Sequence, residues 1–277
     1  MNSKILKDLS QLCIHTITTK PWDIEKAAKN FSREGVAGIT VWRDALNGKN
    51  IQHTGHMLRE LNLKIVSLCR GGFFAYSDKA KRALAIDDNK KAIDEAAALG
   101  APLIVLVCGA DAGQSLEESR KQIAEGIEAV IPYANTANIK LAIEPLHPMY
   151  ADTRSAISTL GQANDLAEQL NSPVVGVAID VYHLWWDPAL KTEILRCGNN
   201  NHIFAFHICD WKTPTTDLLL DRGLMGEGCI GIRQIRGWVE EAGFEGFHEV
   251  EIFSTKYWEE DQSVFLQKIK QAYLEHS

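Results

Sequence analysis

Residues 115–144 read SLEESRKQIAEGIEAVIPYANTANIKLAIE, and this one stretch holds a complete structural unit. Ser115 with Glu118 three residues later is a capping box that opens a helix. Ile123, Ile127, Val130 and Ile131 approximate the apolar stripe of an amphipathic helix. Asn138, which tolerates the left-handed conformation, ends it. Two residues on, Lys140–Glu144 sets Leu141 and Ile143 on one face and Ala142 and Glu144 on the other, the period of a strand.

The unit recurs in both directions. Gly35, Asn62, Gly100, Asn171 and Gly243 are further helix stops, each followed within a few residues by a β run. Eight strands are predicted: Leu12–Ile17, Gly38–Trp42, Lys64–Cys69, Leu103–Cys108, Lys140–Glu144, Val174–Asp180, Ile203–Cys209 and Phe247–Ile252. Between them, Ile24, Ala27, Ala28 and Phe31 form one helical stripe and Leu160, Ala163, Ala167 and Leu170 another. Asp23, Asp152 and Asp261 are expected N-caps. Eight strand–helix units, with no linker and no shift of composition, predict a parallel sheet whose crossovers are helices. In a chain of 277 residues they fit a single (β/α)₈ TIM barrel over residues 1–277. An open doubly wound sheet is the competing arrangement, but no Gly-rich dinucleotide loop follows a strand.

Composition narrows the class. With 45% hydrophobic and 23% charged residues the chain is an ordinary globular protein. The length supports a core large enough to need no disulfide or metal staple. A net charge of −7 disfavours a nucleic-acid-gripping protein, whose phosphate contacts demand a basic face. No apolar run approaches the ~20 residues of a membrane helix, and MNSKILKDLS lacks a signal-peptide apolar region. Six scattered cysteines without a CxxC pair read as the reduced thiols of a cytoplasmic protein.

Strand parity then locates the chemistry. In Val174–Asp180, Val175, Val177 and Ile179 face the helices, so Asp180 faces inward; in Ile203–Cys209, Phe204 and Phe206 point outward and His207 inward. In Phe247–Ile252, Val250 and Ile252 set the outer face, leaving Glu249 and Glu251 inside. Four successive strands therefore end in an inward-facing metal-competent group: Glu144, Asp180, His207 and Glu251. Three desolvated carboxylates would repel one another without a cation. Three oxygen donors and one imidazole suit one divalent ion, Mn²⁺ or Mg²⁺ first, with Zn²⁺ or Co²⁺ as alternatives. Six tryptophans (Trp22, Trp42, Trp185, Trp186, Trp211 and Trp258) fall just beyond predicted strands, where ring faces form a rim suited to the C–H faces of a polyol. Arg43 and Arg70 follow strands two and three, within reach of a carboxylate or phosphate. His53 and His56 share a helix face and read as solvated.

The segments AIEPLHP (142–148), AIDVYH (178–183), AFHICD (205–210) and EVEIF (249–253) resemble the sugar phosphate isomerase/epimerase family. These xylose isomerase-like barrels include ketose 3-epimerases, inosose isomerases and dehydratases, hydroxypyruvate isomerases and zinc apurinic endonucleases. The resemblance covers nearly the whole chain, and it implies that Glu144, Asp180, His207 and Glu251 ligate one metal. In epimerase-type members the matching glutamates, here Glu144 and Glu251, also shuttle protons. His183 matches a substrate-contacting histidine, and Arg222, before Met225-Gly-Glu-Gly228, matches an arginine that holds substrate oxygens; the long Asp210–Gly226 stretch loosens that match. His147, Asp210, Trp42, Trp211 and Arg70 are further candidate substrate contacts. Cys69-Arg-Gly-Gly-Phe-Phe74 resembles a subgroup known only by the family's general activity. The endonucleases place extra metal-binding histidines after strands three and four, where this chain has Cys69-Arg70 and Cys108-Gly109, which argues against a three-metal phosphodiesterase.

The expected activity is therefore proton transfer through a metal-stabilised enediolate, isomerising or epimerising a keto-sugar, sugar phosphate or keto-inositol. A lyase acting on a keto-polyol or 3-keto glycoside, and a noncatalytic sugar-binding barrel, are the alternatives. The expected partner is a small polyol, with neither nucleic acid nor membrane involved and a homo-oligomer possible by family analogy.

Overall fold

A computed structural model describes residues 5–277. The eight barrel strands are β1 (Leu12–His15), β2 (Gly38–Trp42), β3 (Lys64–Gly72), β4 (Leu103–Val107), β5 (Lys140–Glu144), β6 (Val175–Asp180), β7 (Ile203–Ile208) and β10 (His248–Val250). They close in the order β1-β10-β7-β6-β5-β4-β3-β2 with every pairing parallel. A two-stranded antiparallel ribbon, β8 (Asp210–Trp211) and β9 (Arg222–Gly223), stands outside the ring. Helices fill the crossovers, giving one (β/α)₈ barrel. Among the described residues no helix is long and apolar enough to cross a membrane.

The helix punctuation explains this regularity. Gly35, Asn62, Gly100, Asn138, Asn171 and Gly243 all adopt positive φ, between 43° and 91°, so each of the six stops turns the chain through the left-handed region. At the other end, Asp23 accepts the Lys26 N–H at 2.7 Å and Ser115 Oγ the Glu118 N–H at 3.1 Å. Asp261 caps the last helix through the Ser263 and Val264 N–H groups. Asp152, expected as a cap, lies instead in a turn, and Thr159 caps helix Leu160–Leu170. The cause is a detour: Gly109 and Ser155 pair in a bridge, with the Gly109 N–H donating to the Arg154 carbonyl at 2.8 Å. The chain after β5 is stitched to the end of β4 before its helix can start.

The main core lies between sheet and helices. Inside the barrel a smaller cluster of Cys69, Leu103, Val105, Ala142, Ala178 and Ala205 forms the floor. Phe204 corrects the parity reading: it packs against that floor rather than outward. The β6–β7 register slips between Val177 and Ala178, and the missing side chain of Gly176 makes room, since a Cβ there would lie 2.6 Å from the Phe204 ring. A one-residue slip reverses the face a side chain takes.

On the outer face of the same sheet, His248 is buried with Nδ1 2.9 Å from the Tyr273 hydroxyl. Burial, reinforced by Arg236, pulls its pKa from 6.5 to about 4. The unfolded chain takes up this proton below pH 6.5 while the folded chain resists until about pH 4. Stability from this group is thus complete above pH 6.5 and lost as pH falls, by up to about 3 kcal/mol. Urea unfolding from pH 7.5 down to 4.5 should show His248→Gln losing less stability with acidification than the parent; parallel pH profiles would refute the assignment.

Candidate metal centre at the barrel mouth

The five residues His15, Glu144, Asp180, His207 and Glu251 converge at the C-terminal mouth of the barrel. Glu144, Asp180 and His207 come from β5, β6 and β7, and Glu251 immediately follows β10. One ligand-competent atom from each of Glu144, Asp180, His207 and Glu251 falls within 4.8 Å of the others, and all four residues are buried. The set expected from strand parity is brought together in full.

Its chemistry fits a cation better than it fits an empty pocket. His207 Nδ1 and Glu144 Oε1 lie 2.9 Å apart, yet neither aligns as hydrogen-bond donor or acceptor to the other, and both remain without a partner. His207 Nε2 is likewise unpartnered. Buried polar atoms left unpaired are costly, and groups facing a shared point instead of one another are what ligation would satisfy. Burial alone would strip His207 of its proton, but the Glu144 and Glu249 carboxylates hold its pKa up to about 10. Burial raises the Asp180 pKa to about 7 despite Arg222. Burial also opposes ionisation of Glu251, but Arg222 and His15 outweigh it and keep that carboxyl well below its usual range.

Arg222 is the fixed positive charge. It is buried, and Nη1 donates to Glu251 Oε2 at 2.7 Å and to Asp180 Oδ2 at 3.3 Å. Its guanidinium lies 4.3 Å from the centroid of the Tyr182 ring. The β8–β9 ribbon delivers it across the long connection after β7, pairing Trp211 with Arg222. Asp210 holds the ribbon's return: its carboxylate accepts the backbone N–H groups of Gly226, Gly228 and Ile230. That structural duty accounts for Asp210, which sequence grouped with substrate contacts. His183 Nε2 sits 3.2 Å from Arg222 Nη2 and 3.6 Å from Asp180; burial and Arg222 keep the ring neutral, well below its usual pKa.

His15 was not anticipated. Its Nε2 lies 3.3 Å from Glu249 and its Nδ1 3.1 Å from Glu251. Burial disfavours its charged form, but these two carboxylates raise its pKa to about 9. The same Nδ1 lies 3.2 Å from Trp42 Nε1, so it accepts from Trp42 when unprotonated and faces Glu251 as a donor when protonated. Glu249 sits on β10 beside it, bound by the hydroxyls of Thr40 and Ser67. Inward parity on β1, which places Cys13 and His15 on one face, was the signal that would have found His15.

Two aromatic groups flank the mouth. Trp211 stacks on Tyr182 at 4.8 Å and meets His147 at 5.0 Å, with Trp186 5.6 Å from His147. Opposite, Trp42 meets Phe253 at 5.2 Å and Phe253 meets Trp258 at 6.2 Å. Trp22 departs from the expected rim: it is a core residue, 8% exposed, packed in the main cluster. Arg70 lines a cavity of about 740 Å³ with Trp42, Cys69 and Phe73. Arg43, by contrast, is spent on Asp88 and Glu95, and His53 and His56 are exposed as expected.

Known proteins share this fold. Residues 28–269 match the family model of the xylose isomerase-like TIM barrel. An inosose isomerase of Halalkalibacterium halodurans is 23% identical over 244 residues, covering 86% of this chain and 84% of the relative. The crystal structure of protein SMc04130 from Sinorhizobium meliloti 1021 is 44% identical, covers 96% of this chain and 98% of its own, and superposes with a TM-score of 0.93. The IolI protein, solved with a bound zinc atom, is 21% identical, covers 95% and 96%, and superposes with a TM-score of 0.83. With its closed parallel barrel and a family match running from the first helix into the last, the chain belongs to the xylose isomerase-like TIM barrel family.

Proposed function

We propose that this protein is a divalent-metal-dependent isomerase or epimerase of a keto-sugar or keto-inositol. One observation carries the reading: two carboxylates, Glu144 and Glu251, stand three strands apart around the ring and face a common point with Asp180 and His207. The inosose isomerase relative supports the same class of substrate.

Glu144, Asp180, His207 and Glu251 would hold the ion. When bound, it supplies positive charge beside the substrate's carbonyl and neighbouring hydroxyl oxygens, lowering the cost of negative charge there. The chain's own residues handle the protons. Epimerisation needs one carboxylate ionised, to take the proton from the carbon next to the carbonyl, and one protonated, to return it from the other side. Arg222 and His15 keep Glu251 ionised, which makes it the base in one direction, with Glu144 the second carboxylate facing the same point from three strands away. If the proton returns to the adjacent carbon, the same pair isomerises instead. Arg222 and His183 orient hydroxyls at the centre, and the aromatic groups of Trp211 and Trp42 cover the sugar's C–H faces and exclude water.

Elemental analysis of the purified protein should find one divalent ion per chain, and Asp180→Asn or His207→Gln should drop that content well below one. Full occupancy in both variants would remove these residues from the ligand set. With metal restored, a ketose panel in D₂O should label the carbon next to the carbonyl. Glu144→Gln and Glu251→Gln should each lose at least ~10² in turnover at matched metal content. Tight polyol binding with neither turnover nor exchange would overturn the enzymatic reading, and an enone chromophore would replace isomerisation by elimination.

A further inference from the structure

The segment Arg70–Phe74 is built with unusual care for a stretch that contributes none of the four carboxylate and imidazole groups. A Cβ on Gly71 would meet Asn89 Oδ1 at 2.6 Å, and one on Gly72 the Val107 carbonyl oxygen at 2.0 Å. Asn89 is buried, accepts the Gly72 N–H at 2.7 Å and donates to the Gly72 carbonyl at 2.8 Å. Phe73 takes φ of 57°, and its N–H donates to Val107 at 2.7 Å. The product of this construction is the placement of Arg70, whose guanidinium lies 4.3 Å from the Phe73 ring centroid and 5.9 Å from that of Trp42.

A second arginine shares the scaffold. Phe73 and Tyr150 belong to one small apolar cluster with Val107, Leu146 and Met149, and the Arg154 guanidinium lies 5.4 Å from the Tyr150 ring. The Arg154 carbonyl is bound by Gly109, next to the stitched ends of β3 and β4. Among the described residues neither Arg70 nor Arg154 has a carboxylate within 4.0 Å, although Arg43, Arg196 and Arg222 all do. Of the acids lining the Arg70 cavity, Asp88 is held by Arg43 at 2.8 and 2.9 Å and Asp44 is exposed. The cavity adjoins the centre through two of its lining residues: Cys69 belongs to the barrel floor, and Trp42 donates to His15 Nδ1. Guanidinium groups preset on aromatic faces but lacking an acid are matched to an oxyanion, which they bind with forked hydrogen bonds.

We propose that Arg70 and Arg154 form an oxyanion subsite for the terminal phosphate or carboxylate of an acyclic sugar whose other end lies at the carboxylate–histidine centre. The inference rests on the polyol-binding part of the proposed function and adds the charge of the substrate. Burial and the proximity of Arg154 both depress the Arg70 pKa, the electrostatic state that an added anion relieves.

Three inert probes differing only at one end separate the possibilities: xylitol, xylitol 5-phosphate and xylonate, titrated calorimetrically into the metal-loaded protein at low salt. A charged probe should bind at least about tenfold more tightly than xylitol, with phosphate or carboxylate identified by which of the two gains more. Arg70→Met, which keeps the unbranched stem against Phe73, should reduce the advantage to less than about threefold, with metal content and circular dichroism unchanged. Arg154→Met should lower it independently. Equal binding or equal absence of binding of all three probes, or an advantage that survives both variants, overturns the subsite. A protein that labels ketoses in D₂O but shows no charge preference keeps the proposed function and loses only this inference.

Discussion

Carboxylates crowded into a desolvated barrel mouth are the constraint around which the molecule is arranged. Glu144, Asp180, Glu249 and Glu251 are all buried, within a ring only eight strands wide. Four such groups cannot remain ionised together unless positive charge is placed among them. The fold supplies Arg222 permanently and two histidines conditionally, and it leaves Glu144 Oε1 and His207 without hydrogen-bond partners. The outer parts of the structure follow from that requirement. A buried arginine needs an anchored backbone, and the β8–β9 ribbon and the Asp210 loop provide it.

The carboxylates divide by what satisfies them. Glu249 Oε2 accepts from the hydroxyls of Thr40 and Ser67 and lies 3.3 Å from His15 Nε2, all groups of the barrel wall. Glu144 has no such hydroxyls and faces His207 without bonding it. Glu251 and Asp180 lie between, sharing one guanidinium nitrogen. Charge neutralised by fixed wall groups serves stability and orientation, whereas charge left facing the mouth is available for a ligand, and Glu249 and Glu251, two residues apart on the same inward face, represent the two kinds.

Much of this was legible in the sequence because it depends on local rules. Six helix stops chosen only as Gly or Asn before a β run all take positive φ, since few other residues tolerate that conformation. Inward parity collected the four candidate ligands because strand alternation has a period of two. Three of the failures depend on how separate segments register. Phe204 faces the floor because β6 and β7 slip by a residue beside Gly176. Asp152 loses its cap role because the chain is first tied to Gly109. Arg222 arrives through an antiparallel ribbon that no periodicity announces, and only the family resemblance marked it. Trp22 sits near the rim in sequence yet is core, because a ring just before the Asp23 cap packs under its own helix. His15 was within reach of the same parity argument, since Leu12 and Ile14 pack into the main core and leave Cys13 and His15 facing inward.

Glu249 shows how the lower layer governs the upper one. Its carboxylate is fixed from below by two hydroxyls and presents Oε2 to His15 Nε2 at 3.3 Å and to His207 Nε2 at 3.9 Å. Both rings therefore have Nε2 on the side of one buried anion and Nδ1 on the side of a mouth carboxylate, Glu144 for His207 and Glu251 for His15. A carboxylate behind an imidazole sets its orientation and increases the basicity of the far nitrogen. The two rings pack edge to face with centroids 4.7 Å apart, so neither can rotate without displacing the other. One acid at the level of the barrel wall thus lies behind both histidines of the centre, and the hydroxyls of Thr40 on β2 and Ser67 on β3 hold it there.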